Sequence, residues 1–171
     1  MKAVILAGGR GTRLGELSTI KPKPMVEIGN RPIIWHIMKL YSFFGVNEFI
    51  ICSGYLGHLI KDYFVNFKEK TSDVKINLKL DTIEYKKNHQ ECSWQISIID
   101  TGQNTMTGER LLRIKDQLDD HTPFFLTYGD GLADININQL LDHHYKIFLL
   151  VINIHISIQL HIAKVLYYGD T

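Results

Sequence analysis

Apolar residues recur along this chain in two rhythms, and the places where the rhythm breaks hold the most unusual residues. Residues 3–7 (AVILA) form an unbroken apolar run that stops at Gly8, Gly9 and Gly11. That is the pattern of a strand buried on both faces and followed by a tight turn. A connector follows, which Pro22 and Pro24 hold extended. Ile33, Ile34, Ile37, Met38, Tyr41 and Phe44 then recur at helical spacing, with Asn30 read as the N-cap, Pro32 in the first turn and Gly45 as the stop. Residues 48–52 (EFIIC) are a second compact apolar run. Strand, helix and strand make a right-handed parallel unit, and such units bind ligands beyond the carboxyl ends of their strands. The glycine turn lies at that edge.

The rhythm continues with a second helix over residues 56–67, carrying Leu56, Ile60, Tyr63, Phe64 and Phe67 on one face. Val74, Ile76, Leu78 and Leu80 then alternate with polar residues, as in a half-solvated strand, and residues 81–93 are polar and charged. The stretch near 68–93 reads as an excursion from the main sheet. It is either a projecting hairpin that packs on another subunit of a homo-oligomer or a mobile loop. Alternation returns over 94–100 and gives way to TGQNTMTGER. Thr107 and Glu109 there can simply open a helix, or the loop can read a base or sugar, with Arg110 and Arg113 behind it. Residues 124–128 form a last strand that ends in Gly129-Asp130-Gly131, and Asp134 is placed to cap a helix beginning near Ile135.

Composition narrows the picture. A chain of 171 residues suits one domain, and a net charge of +1 excludes general nucleic-acid binding. Local charge must do any binding. The two cysteines have neither metal-ligand spacing nor a disulfide framework, which points to a reducing cytoplasm. No secretory signal precedes the first strand, and the apolar run 147–152 is too short to span a membrane.

Charge is concentrated where the apolar runs end. Arg10 and Arg13 flank the glycines, while Lys21 and Lys23 alternate with the prolines. In an extended segment both lysines face one way, toward the glycine loop, unless they form only a solvated linker. Asp130, between glycines at a strand end, suits a hard cation held against phosphates, unless it serves only the turn. The spacing G-G-x-G is neither the dinucleotide fingerprint nor a Walker loop, which disfavours a generic dinucleotide-binding oxidoreductase. What remains is a purely steric turn or a loop that cradles a triphosphate by another geometry, with guanidinium groups for phosphate.

LAGGRGTRL followed by KPKPM resembles the nucleotide-binding signature of the sugar-1-phosphate nucleotidyltransferases. VEIGNRPIIWHIMKLYS, FIICSGYLGH, DTG with MTGER, and TYGDGLAD are similar to the glucose-1-phosphate cytidylyltransferase branch of that family. The likeness covers residues 1–146, a nucleotide-binding domain, and leaves 147–171 as a divergent tail. It implies a Rossmann-like three-layer α/β fold with a mostly parallel central sheet, incomplete at its C-terminal part. It also implies CTP, glucose 1-phosphate and Mg2+ as partners, with no nucleic acid and no membrane. Leu6, Ala7, Gly8, Gly9 and Arg10, then Gly11, Thr12 and Arg13, would wrap the nucleotide. Lys23 would contact phosphate, Thr105 and Arg110 nucleotide or substrate, and Asp130 would hold magnesium beside Gly129. Arg13, Lys23 and Asp130 are the residues expected to carry the reaction, an in-line attack of the sugar phosphate on the α-phosphorus of CTP.

The family's later lysine in an E-K-P context and its late metal-binding aspartate do not occur in these residues. Little turnover and retained nucleotide affinity are therefore expected, and the second reading is a non-catalytic nucleotide-binding or assembly module. The tail reads either as one strand over 151–162 or as the out-of-frame end of a shortened gene.

Overall fold

A computed structural model of the chain describes residues 1–11, 20–86, 90–119 and 122–152. In order they form β1 (Lys2–Leu6), a 3-10 turn (Lys23–Met25), β2 (Glu27–Ile28), β3 (Arg31–Pro32), α1 (Ile33–Phe43) and β4 (Glu48–Ser53). Next come α2 (Gly57–Val65), α3 (Phe67–Thr71), β5 (Asp73–Asn77), β6 (Thr82–Lys86) and β7 (Gln95–Asp100). The described chain ends with α4 (Thr107–Arg113), β8 (Phe125–Tyr128) and α5 (Ile137–Ile152).

The main sheet has the order β7-β4-β1-β8, and every pairing in it is parallel. β1 is internal, with Ala3 opposite both Phe49 and Phe125, and Leu6 opposite both Cys52 and Tyr128. Its side chains alternate between two cores. Ala3, Ile5 and Ala7 join Ile34, Ile37, Met38 and Tyr41 of α1 and Ile137 of α5 on one face. Val4 and Leu6 join Ile50, Cys52 and Ile114 on the other. A strand covered on both sides needs apolar residues at every position, which is why AVILA does not alternate. The α/β architecture and the boundaries of β1, β4, β7 and β8 match the sequence reading to within a residue or two.

Several local readings change. Gly29 and Asn30 both have positive φ (56° and 66°), so together they form the two-residue turn between β2 and β3, and Pro32 takes the N-cap position of α1. Asn30 tolerates the left-handed region because its short polar side chain does. The helix after β8 begins at Ile137, and Asn136, not Asp134, caps it by accepting a bond from the Gln139 N–H at 3.1 Å. The predicted helix over 56–67 ends at Val65, and α3 follows it. The 3-10 turn breaks the two-residue alternation, so Lys21 bonds Glu27 at 2.8 Å while Lys23 turns to Asp130 at 3.4 Å.

The excursion is an antiparallel hairpin of β5 and β6. The chain returns from it along α1, where Lys39 pairs with Glu91 at 3.1 Å and Trp94 packs against Phe49 with ring centroids 5.6 Å apart. α5 runs through Ile147 as far as Ile152, and the rest of the tail lies outside the described residues. Among the described residues no helix is long and apolar enough to cross a membrane.

Phe49 is fully buried between the sheet and Trp94. Phe49→Ala should destabilise the fold by about 3–5 kcal/mol in urea denaturation, and a loss below about 1 kcal/mol would contradict this packing. Cys52 is a buried free thiol whose pKa burial pushes up to about 11. At pH 8 it should therefore resist iodoacetamide in the native protein and react only after unfolding, as mass spectrometry of alkylated peptides would show.

Candidate active site

The sheet order sets where a ligand can sit. From β1 the chain steps outward to β4 and β7, then returns to the other side of β1 with β8. All four strands run parallel, so their carboxyl ends share one edge of the sheet, the edge at which open α/β sheets take ligands. A cavity of about 230 Å³ lies there, lined by Leu6, Ala7, Gly8, Gly9 and Gly11 after β1, by Tyr128 and Asp130 after β8, and by Lys23, Pro24, Thr105, Met106, Thr107 and Arg110.

Most of the residues singled out in the sequence thus meet in one place. Gly11 has φ +66, and a side chain there would run into Lys23 Cγ at 2.8 Å, so the lysine stem lies directly over the loop. Lys23 carries its ammonium to Asp130, with the two side chains 25% and 37% exposed. A pair this accessible to water is worth at most about 1 kcal/mol and exchanges partners readily. Gly129 lies beneath Pro24 and Ala7, where an added Cβ would meet Pro24 Cγ at 2.9 Å. Arg10 reaches away from the cavity, donating to Asn104 Oδ1 at 3.0 Å and lying 6.0 Å from the Tyr55 ring centroid. Thr12 and Arg13 lie outside the described residues.

Arg110 takes the least expected position. The residue is 5% exposed, and its guanidinium donates to the carbonyls of Gly8 (3.1 Å), Ser53 (3.2 Å) and Gly102 (2.8 Å) and to the Thr101 hydroxyl (2.6 Å). Burial lowers its pKa from the ordinary guanidinium value, and the nearby charge of Arg113 adds to the effect. Among the described residues no carboxylate pairs with it. Sequence reading missed the acceptors Ser53 and Thr101: the first accepts through its backbone carbonyl, which leaves no mark in a residue type, and the second through a hydroxyl that a loop threonine does not single out. Gly54 carried a faint signal, since a side chain there would stand 2.6 Å from the Gly102 carbonyl.

Among the described residues no three His, Cys, Asp or Glu side chains cluster as a preformed metal cage. Asp130 nonetheless fits a magnesium ion of the kind held by one carboxylate and completed by substrate phosphates and water. The cation it already attracts, Lys23, shows the polarity of the spot.

Known proteins share both pattern and fold. The chain is 50% identical over 144 residues to the glucose-1-phosphate cytidylyltransferase of Salmonella typhimurium, covering 84% of this chain and 56% of that protein. It is 47% identical over 144 residues to a probable glucose-1-phosphate cytidylyltransferase of Bacillus subtilis, with the same coverage of 84% and 56%. The chain thus spans about half the length of the relatives it matches. A crystal structure of UDP-glucose pyrophosphorylase complexed with UDP-glucose superposes with a TM-score of 0.62 at 20% identity, over 86% of this chain and 54% of that one, which is a likeness of fold. Residues 2–149 match the sequence pattern of the nucleotidyl transferases, and the chain belongs to that family.

Proposed function

We propose that this chain is the nucleotide-binding part of a glucose-1-phosphate cytidylyltransferase, which transfers a cytidylyl group from CTP to glucose 1-phosphate and releases pyrophosphate. The observation that carries this reading is the Lys23–Asp130 pair standing across the cavity that the glycine loop opens. The close relatives named above, which bear that activity in their names, support it.

The loop offers the triphosphate its backbone. The N–H groups of Gly8, Gly9, Arg10 and Gly11 donate to no described residue, which suits them to phosphate oxygens. Leu6 and Ala7 form the floor of the crevice, and Thr105 and Arg110 approach from the opposite wall, where the nucleoside would lie. Gly129 lets the chain after β8 come close beneath the phosphates. Lys23 would turn from Asp130 to phosphate, and Asp130 is the carboxylate that would hold Mg2+. The metal supplies charge neutralisation of the phosphates, and Thr12 and Arg13 keep the roles that the family implies. Alignment and charge carry the reaction, and no covalent nucleophile is needed. The buried free thiol of Cys52 supports a reducing, cytoplasmic setting.

Titration calorimetry should show CTP binding that depends on magnesium. Asp130→Asn should abolish the magnesium dependence, and Lys23→Met should weaken binding by about tenfold, or 1.4 kcal/mol. Absence of magnesium-dependent binding by a folded sample would sink the proposal. Binding with little or no CDP-glucose formation is the result expected of this part of the enzyme, and robust synthesis by the chain alone would overturn that expectation.

The same reading includes a homo-oligomer. The hairpin register puts Val74, Ile76, Ile83 and Tyr85 on one face, with Ile76 60% and Ile83 57% exposed. A two-stranded ribbon is marginal alone and gains from being covered, and a second copy is the proposed cover. Sedimentation should give an oligomer for the unmodified chain and a smaller species for Ile76→Asp; a monomer at micromolar concentration in the unmodified chain would refute this.

A further inference from the structure

The phosphate loop itself makes few bonds. Of its carbonyls, that of Gly8 accepts twice, from the Tyr55 N–H at 3.2 Å and from Arg110 Nη2 at 3.1 Å. The described chain has no cis peptide, so the Gly8 carbonyl and the Gly9 N–H point in opposite directions from one planar unit. A carbonyl drawn inward to Arg110 therefore turns the Gly9 N–H outward, and that N–H donates to no described residue. The fit is close, since a side chain at Gly8 would overlap the guanidinium and one at Gly54 would stand 2.9 Å from Nη1.

The other end of the same guanidinium holds the opposite wall. Nη1 bonds Thr101 and Gly102 at the end of β7, ahead of the Thr105–Thr107 lining of the cavity. Arg113 reinforces that wall by donating to the Thr101 carbonyl at 2.9 Å. One planar fork thus spans the ends of β1, β4 and β7, with acceptors on all three.

We infer that Arg110 is a positioning residue that fixes the Gly8 carbonyl to the ends of β4 and β7 and so presents the Gly9 N–H to an anion in the cavity. The inference rests on the phosphate-site reading above but assigns the residue a different task from contact with nucleotide. A fork of fixed geometry is required, because an ammonium is a compact point charge that cannot reach three strand ends at once.

The test compares the full chain with its Arg110→Lys and Arg110→Met variants, using hydrogen exchange and inorganic pyrophosphate. Without ligand, the Tyr55 amide should exchange at least tenfold faster in both variants, while Ala7, bonded to the Cys52 carbonyl at 2.9 Å inside the sheet, keeps its protection. With magnesium pyrophosphate, the Gly9 amide resonance of the unmodified chain should shift, and both variants should bind at least tenfold more weakly. Unchanged Tyr55 exchange in the variants would overturn the staple. Wild-type pyrophosphate affinity in Arg110→Lys would also overturn it, by showing that charge alone suffices. Failure of the unmodified chain to bind pyrophosphate would instead overturn the phosphate-site reading, and with it the anion-presenting half of the inference. Should Arg110→Met fail to fold, Gly8→Ala perturbs the same contact from the other side and should give the same loss at Tyr55.

Discussion

Strand β1 has no face in water and no free edge, and the rest of the molecule follows from that constraint. Its backbone can satisfy its polar groups only against β4 and β8, and its side chains only against two apolar layers. The ladder carries a little past the strand itself: Ala7 still donates to Cys52, and Gly129 to Leu6, both at 2.9 Å. Beyond Gly8 the pairing stops. Backbone donors without a partner among the described residues therefore appear in the glycine loop, beyond the carboxyl ends of two parallel strands. The proposed anion site would thus be a consequence of where burial ends.

Two cations serve that loop in opposite ways. Lys23 is partly exposed and meets its carboxylate at 3.4 Å, so water screens the pair and substrate can compete for either member. Arg110 is buried and bonded to neutral carbonyls and a hydroxyl, which a competing charge does not draw away. Removing a guanidinium from such a ring would leave buried acceptors unsatisfied. In the proposed site, one cation is thus placed to change partners and the other to keep the walls still.

The parts of the fold set by burial were legible in the chain. The runs AVILA, EFIIC and the strand before Gly129 are apolar because two layers cover them, and their parallel order follows from the helix between them. Elements set by local backbone conformation were less legible. Asn30 looked like a cap because cap and turn residues are the same types, and only its positive φ separates them. Asn136 and Asp134 are chemically interchangeable as caps, and the helix start chose between them. The connector misled for a related reason: Pro22 and Pro24 each favour their own φ, yet the residue between them turned, which sent Lys21 and Lys23 to different partners. Arg110 was recognisable as a site residue but not as a buried one, since its partners are three carbonyls and a hydroxyl contributed by three separate segments.

The three glycines of the loop, which sequence alone left divided between steric turn and phosphate cradle, now separate by cause. Gly11 is a conformational requirement, with φ +66 and Lys23 over it. Gly8 is a packing requirement, because the Arg110 guanidinium occupies the place of its side chain. Neither needs a ligand to explain it. Gly9 is different: its φ is not positive, and an added Cβ would meet nothing within 4 Å. The protein itself gives no reason for glycine there. A side chain at that position would project into open space beside a free N–H, where it would stand between the backbone and whatever the cavity receives. Of the three, Gly9 is thus the one whose identity supports the proposed ligand, while Gly8 and Gly11 are first of all structural.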